Sequence, residues 1–144
     1  MKYKIIVDTN VFIHYFFDGD EASSYLIDHI DDFGRFLFSH NTIGELLYIL
    51  KKISHDYHFT NEDIEAILHS AVDMFLYGKS VSTKLINVDE LPVIRDHDDQ
   101  MFIELAYAGN ADYIISYDKR SGLFDLENAP FSCYTPKEFF KEKQ

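Results

Sequence analysis

Cys133 is the only cysteine, so no internal disulfide can form, and sparse cysteine fits a reducing compartment. The three prolines and six glycines gather into no linker, so nothing divides residues 1–144 into more than one domain. Tryptophan is absent. No apolar run approaches the roughly 20 residues that span a bilayer. The basic start Met1-Lys2-Tyr3-Lys4 is followed only by Ile5-Ile6-Val7 before Asp8 interrupts, which is no secretory segment. These absences lead to the expectation of a soluble cytoplasmic protein with no membrane partner.

Positive charge is also scarce: 13 Lys and Arg stand against 25 Asp and Glu, for a formal net charge of −12. A nucleic-acid binder ordinarily carries a basic footprint, so the charge counts against a large interface built from lysine and arginine. A protein that meets phosphate through bound cations is not, because such ions can be the largest local charges. The acidity also serves solubility and suits a basic partner. Three common signatures are missing: a glycine-rich phosphate loop, a Cys/His zinc spacing and a Gly-x-Ser-x-Gly elbow.

What is present is apolar mass, 47% of the chain, with 13 Phe and 10 Tyr, enough for a sizeable core. Short β-branched or aromatic runs read as strands at Tyr3–Val7, Arg35–Phe38, Val81–Val88, Ala111–Ser116 and Phe131–Tyr134. Helical spacing lies between them. Val11–Phe17 gives a turn or two, ending near Asp18-Gly19-Asp20, and Glu21–Ile30 follows. Ser39-His40-Asn41-Thr42 offers N-caps for a helix through Lys52, and Thr60 opens one that stops at Gly78. Asp96–Ala108 reads as a helix closed by Gly109. Thr135-Pro136-Lys137-Glu138 has a capping threonine, proline at the first position and glutamate at the third. Strands alternating with helices predict an α/β fold, a parallel sheet covered on both faces.

Chemistry in such sheets collects at the carboxyl ends of the strands. Asp8 ends the first strand, in Val7-Asp8-Thr9-Asn10. On its own it would read as a helix N-cap. It recurs, however, with Glu45 one to two turns into the helix after strand two, Asp99 in the first turn after strand three, and Asp118 after strand four. Carboxylates from separated segments suit magnesium or manganese, which take hard oxygen ligands. Asp96 and Asp98 read as caps instead. Asp99 begins the apolar face Phe102, Ile103 and Ala106. Asn10 and Ser116 are polar residues on the same edge, suited to position a ligand or water. Lys119 and Arg120 are the nearest cations.

In this order the segments resemble the PIN domain, a family of metal-dependent nucleases. Val7-Asp8-Thr9-Asn10-Val11 resembles its first motif, and Ser39 with Glu45-Leu46 its second. Arg95–Asp99 with Phe102–Ala106 resembles the third, and Ala111–Lys119 the fourth. Tyr134–Phe140 is similar to the closing segment of the subgroup formed by toxins of toxin–antitoxin pairs. Tyr117 departs from the pattern, since the family usually carries glycine there, and Arg120-Ser121-Gly122-Leu123 departs from its usual continuation.

The resemblance implies a three-layer α/β/α sandwich around a mostly parallel sheet. It implies an endoribonuclease that uses Mg2+ or Mn2+ and a metal-activated water on RNA. Asp8, Glu45, Asp99 and Asp118 take the positions of the acidic ligands. The subgroup implies the toxin of a type II pair, with a small antitoxin as partner, and leaves room for a homodimer. Two alternatives use the same fold: an inactive PIN-like module that binds protein or RNA, and a metal-dependent phosphohydrolase of small molecules.

Overall fold

Ile5, Ile6 and Val7 form one unbroken apolar run, yet they feed two different cores. Ile5 and Val7 pack with Phe12, Leu26, Phe36, Phe38, Leu50 and Phe139. Ile6 packs with Leu37, Phe102, Ile103, Leu105 and Ile114. Alternate strand residues point to opposite faces, and a parallel strand covered on both sides is apolar throughout.

The computed structural model describes residues 2–143. Its strands are β1 (Tyr3–Val7), β2 (Gly34–Phe38), β3 (Lys79–Ser80), β4 (Tyr113–Ile115) and β5 (Ser132–Tyr134). Its helices are α1 (Thr9–Ile13), α2 (Glu21–Asp28), α3 (Ile30–Phe33), α4 (His40–Asp56), α5 (Asn61–Tyr77), α6 (Gln100–Gly109) and α7 (Pro136–Lys143). The sheet order is β3-β2-β1-β4-β5, and every pairing is parallel. One face carries α1, α2, α4, α5 and α7, and the other carries α6 with the segments around Leu91 and Leu123. The three-layer α/β/α architecture is therefore present. Among the described residues no helix is long and apolar enough to cross a membrane.

The chain runs outward from β1 to β2 and β3, then returns to place β4 on the other side of β1. The strand order reverses between β1 and β4, the position where open α/β sheets leave a crevice. Val7 pairs with Ile115, so the residues following each strand, Asp8 and Ser116, emerge side by side.

Three local expectations need correction. The third strand is not Val81–Val88 but only Lys79–Ser80, with one further ladder bond from the Val81 N–H to the Phe38 carbonyl. Beyond it the Ser82 hydroxyl takes the Lys84 N–H and the Asn87 side chain takes the Asp89 N–H. Such bonds compete with a ladder, while Val81 and Ile86 turn into the α6-side core. The segment after α1 is a wider π-helical turn, His14–Asp18, ended by Gly19 at φ 63°. Gly109 is the last helical residue of α6 but not its left-handed stop, which Asn110 forms at φ 52°. The glycine allows close approach instead, since a Cβ there would lie 2.8 Å from Leu37 Cδ1. The expected cap of α7 is present: the Glu138 N–H donates to Thr135 Oγ1 at 3.2 Å, and the Thr135 N–H to Glu138 Oε1 at 2.9 Å.

Candidate metal centre

Asp8 occupies the N-cap position of α1, but its side chain makes no cap hydrogen bond. The carboxylate, 3% exposed, turns toward β4. Its Oδ2 accepts from Ser116 Oγ at 2.7 Å and from Asn10 Nδ2 at 3.1 Å. Ser116 Oγ in turn accepts the Asp118 N–H at 3.0 Å, and Asn10 Oδ1 accepts the Tyr117 N–H at 3.1 Å. Asn10 and Ser116 thus join the ends of β1 and β4 and fix where Asp8 and Asp118 stand. Asp118 is held further by the Arg120 N–H, donated to its Oδ1 at 2.9 Å.

The third acidic segment arrives through a tight turn, His97–Asp99, before α6. Asp96 caps it by accepting the Asp98 N–H at 3.0 Å. Asp99 makes no side-chain cap bond. Burial of Phe102, Ile103 and Ala106 against the sheet sets the rotation of α6. Two ties then pin this segment to the loop after β4: the Asp96 N–H donates to the Ser121 carbonyl and Arg95 Nε to the Arg120 carbonyl. As a result one carboxylate oxygen each from Asp96, Asp99 and Asp118 falls within a mutual 4.8 Å.

The charges in this group are uncompensated. Burial first, then the like charges of Asp8, Asp96, Asp118 and Asp98, push the Asp99 carboxyl up to about 7 from 3.8. Burial likewise raises Asp8 to about 6, against the opposing hydrogen bond from Ser116 and with a push from Asp118. Crowded carboxylates disfavour one another's ionised forms. Two neighbouring cations are engaged elsewhere: Lys119 pairs with Glu138 at 2.9 Å and Arg95 with Asp125 at 2.6 Å.

Of the four acids singled out from sequence, the structure brings Asp99 and Asp118 into one group and sets Asp8 beneath it, coupled by charge. Glu45 is outside the group of three and absent from the charges that raise Asp99. It sits half-buried in the second turn of α4. Asp96 was read only as a cap and serves as one, yet it also faces the cluster. The available signal was the Asp96–Asp99 spacing of three residues, which stacks side chains on one side of a helical turn. His97 is exposed, and Lys119 is turned away toward Glu138.

Tyr117 explains how the departure beside Asp118 is accommodated. Its hydroxyl donates to Asp20 Oδ2 and hydrogen-bonds Ser23 Oγ, while Asp20 caps α2 through the Ser23 N–H. The side chain glycine would lack ties the loop to the start of α2.

A doubly wound parallel α/β domain with acidic side chains gathered at its switch point is the class that fold and site define. A family model described as a PIN domain matches residues 4–120, and the chain belongs to the PIN-domain family. Its fold is similar to the crystal structure of VapBC2 from Rickettsia felis bound to a DNA fragment from their promoter. The TM-score is 0.61 at 14% sequence identity, over 90% of this chain and 96% of that one. No curated protein matches the chain.

Proposed function

We propose that this chain is a metal-dependent endoribonuclease and the toxin of a type II toxin–antitoxin pair. The observation that carries the reading is the convergence of Asp96, Asp99 and Asp118 within 4.8 Å, above buried Asp8. Membership of the PIN-domain family supports a nuclease, and the likeness of Tyr134–Phe140 to the closing segment of the toxin subgroup, with the fold shared with VapBC2, supports the pair.

The donor set fits a hard divalent cation. Carboxylate oxygens and few ligands are what magnesium and manganese take, leaving room for water and substrate phosphate. Asp8, Asp96, Asp99 and Asp118 would hold it, with Glu45 as a further acid on α4. When bound, such an ion supplies Lewis acidity toward a phosphoryl oxygen and a water of lowered pKa. The protein's own residues orient. Ser116 and Asn10 lock Asp8 to Asp118, so acids from two strands move as one unit. The two hydroxyls bonded to these residues are buried away from substrate: Ser116 Oγ donates to Asp8 and Ser121 Oγ to the Asp118 carbonyl. The attacking oxygen is therefore assigned to water.

The acidic mouth suits an antitoxin that inserts arginine or lysine among the carboxylates in place of metal, arginine having a planar fork that matches them. Manganese should compete with that partner, and salt should weaken any exposed part of the contact.

The test is cleavage of structured and unstructured RNA with manganese, magnesium or chelator, beside a small phosphate ester. Metal-dependent cutting of RNA, lost in Asp99→Asn, is the expected result. Turnover of the ester alone would identify a phosphohydrolase. Binding of RNA or protein without turnover would identify an inactive module.

A further inference from the structure

A surface groove lies between α2, α3 and α7. It has a volume of about 600 Å³ and is lined by Glu21, Tyr25, Phe33, Lys137, Phe140 and Lys143. That volume is in the range that accepts flat organic groups. Its aromatic wall is ordered. Tyr25 stands edge-on to Phe140 at 5.2 Å, and Phe33 packs on Phe140 at 5.7 Å. Tyr25 is nevertheless 51% exposed.

One end of this groove is tied to the loop that carries Asp118. Glu21, at the start of α2, follows Asp20, which accepts the Tyr117 hydroxyl. Lys137, at the start of α7, precedes Glu138, which pairs with Lys119. The two helical walls are thus anchored, at their first turns, to the residues on either side of Asp118, and that end of the groove lies toward the acidic centre.

Charge separates the two regions. In a chain of net charge −12, the groove offers two lysines against one glutamate. Lys137 makes no ion pair among the described residues. Lys143 lies over the rings of Tyr3 and Tyr113 and donates to the Tyr113 hydroxyl, with no acid against it. Exposed aromatic faces beside cations without acidic partners are what single-stranded nucleic acid uses, bases stacking while lysines meet phosphates.

We propose that this groove holds a single-stranded stretch of RNA beside the scissile phosphate, with Tyr25 and Phe140 stacking bases and Lys137 and Lys143 contacting phosphates. This rests on the nuclease reading above and adds where the substrate lies. It also accounts for how so acidic a chain holds RNA: one aromatic groove supplies two lysines away from the metal.

The experiment uses the full chain carrying Asp99→Asn, which is expected to bind without cutting. The probe is a fluorescein-labelled oligouridylate of about ten nucleotides, within the span of one single-strand-binding module. Anisotropy is read across a salt series with manganese present. Adding Tyr25→Ala should weaken binding about tenfold, the loss of one stacked base. Adding Lys137→Ala should reduce the salt slope by about 0.7, the loss of one phosphate contact. Both positions are exposed, and unchanged thermal unfolding controls for the fold. In the wild-type background the same changes should raise KM for RNA cleavage and spare kcat. Groove variants that bind and cleave like their parents would overturn the groove assignment and leave the nuclease reading standing. A wild-type chain that neither binds nor cuts RNA would overturn both. Variants that keep RNA binding but lose a co-expressed antitoxin would make the groove a protein-docking surface and overturn the RNA assignment.

Discussion

The Ser116 hydroxyl donates to the Asp8 carboxylate at 2.7 Å while accepting the Asp118 N–H at 3.0 Å. One buried oxygen therefore sets the relation between acids that lie 110 positions apart in the chain. Ser116→Ala removes that bridge and leaves the Asp118 N–H without its partner. An unpaired buried polar group costs about 1–3 kcal/mol. The expected outcome is an unfolding free energy lowered by that amount, read as a lower urea midpoint in chelator, with weaker manganese binding. An unchanged midpoint and unchanged metal affinity would show that the bridge does not order the site.

Asp96, Asp98 and Asp99 are separable by the same conservative change. Asp98 is exposed and outside the group of three, so Asp98→Asn should leave metal binding and cleavage near the parent level. Asp96→Asn should keep the turn, because asparagine caps about as well as aspartate, yet lose metal affinity. Asp99→Asn should lose both affinity and cleavage. Calorimetric titration with manganese, paired with thermal unfolding, distinguishes the three. Equal behaviour of Asp98→Asn and Asp99→Asn would mean that a different face of the turn meets the metal.

Metal-free stability should fall as pH rises toward neutrality. Asp8 and Asp99 titrate at about 6 and about 7 in the folded chain, against 3.8 as the unperturbed value. Between these values the folded state holds more protons than the unfolded state, so unfolding becomes easier with each added pH unit. The contribution is complete below the unfolded pKa and lost once pH passes the folded values. In chelator, Asp99→Asn should match the parent near pH 3 and exceed it increasingly as pH rises to about 8, read as a difference in denaturant midpoint. A parent more stable than the variant at the higher pH would contradict the assigned charge crowding.

Gly109→Ala should destabilise the protein although it sits at the last position of a helix. In a helix interior alanine gains about 1 kcal/mol over glycine, and at the end the gain is smaller. Here the new methyl would meet Leu37 Cδ1 at 2.8 Å and Val81 Cγ2 at 3.3 Å, and Leu37 is buried. Overpacking of this kind costs about 1–3 kcal/mol, so the net sign is unfavourable. Thermal unfolding at fixed pH decides it. A raised midpoint would show that Leu37 yields without cost.

The layer order and the parallel sheet were legible because each strand is a short apolar run followed by a helical pattern. The ends of β1 and β4 were legible because Asp8 and Ser116 interrupt such runs. The third strand was not: Val81, Leu85, Ile86 and Val88 alternate plausibly with polar residues, but local hydrogen bonds at Ser82 and Asn87 take the backbone away from the sheet. At Gly109 the composition signal for a stop outweighed the packing against Leu37, which no one-dimensional pattern displays. Asp96 was legible as a cap, and its second use depends on the Ser121 and Arg120 carbonyls, which come from a distant loop. The tie from Tyr117 to Asp20 has no local sequence signature at all.

The central claim is that Asp8, Asp96, Asp99 and Asp118 form a divalent metal centre. The most direct measurement is manganese titration at about pH 8, with free ion read by electron paramagnetic resonance. The wild-type chain should show saturable binding. Asp8→Asn and Asp99→Asn should each weaken it by more than about tenfold, the lower bound seen even for residues that only support a metal's ligands, while Asp98→Asn should leave it unchanged. Binding indifferent to Asp8→Asn and Asp99→Asn, or no saturable binding by the wild-type chain, would contradict the account.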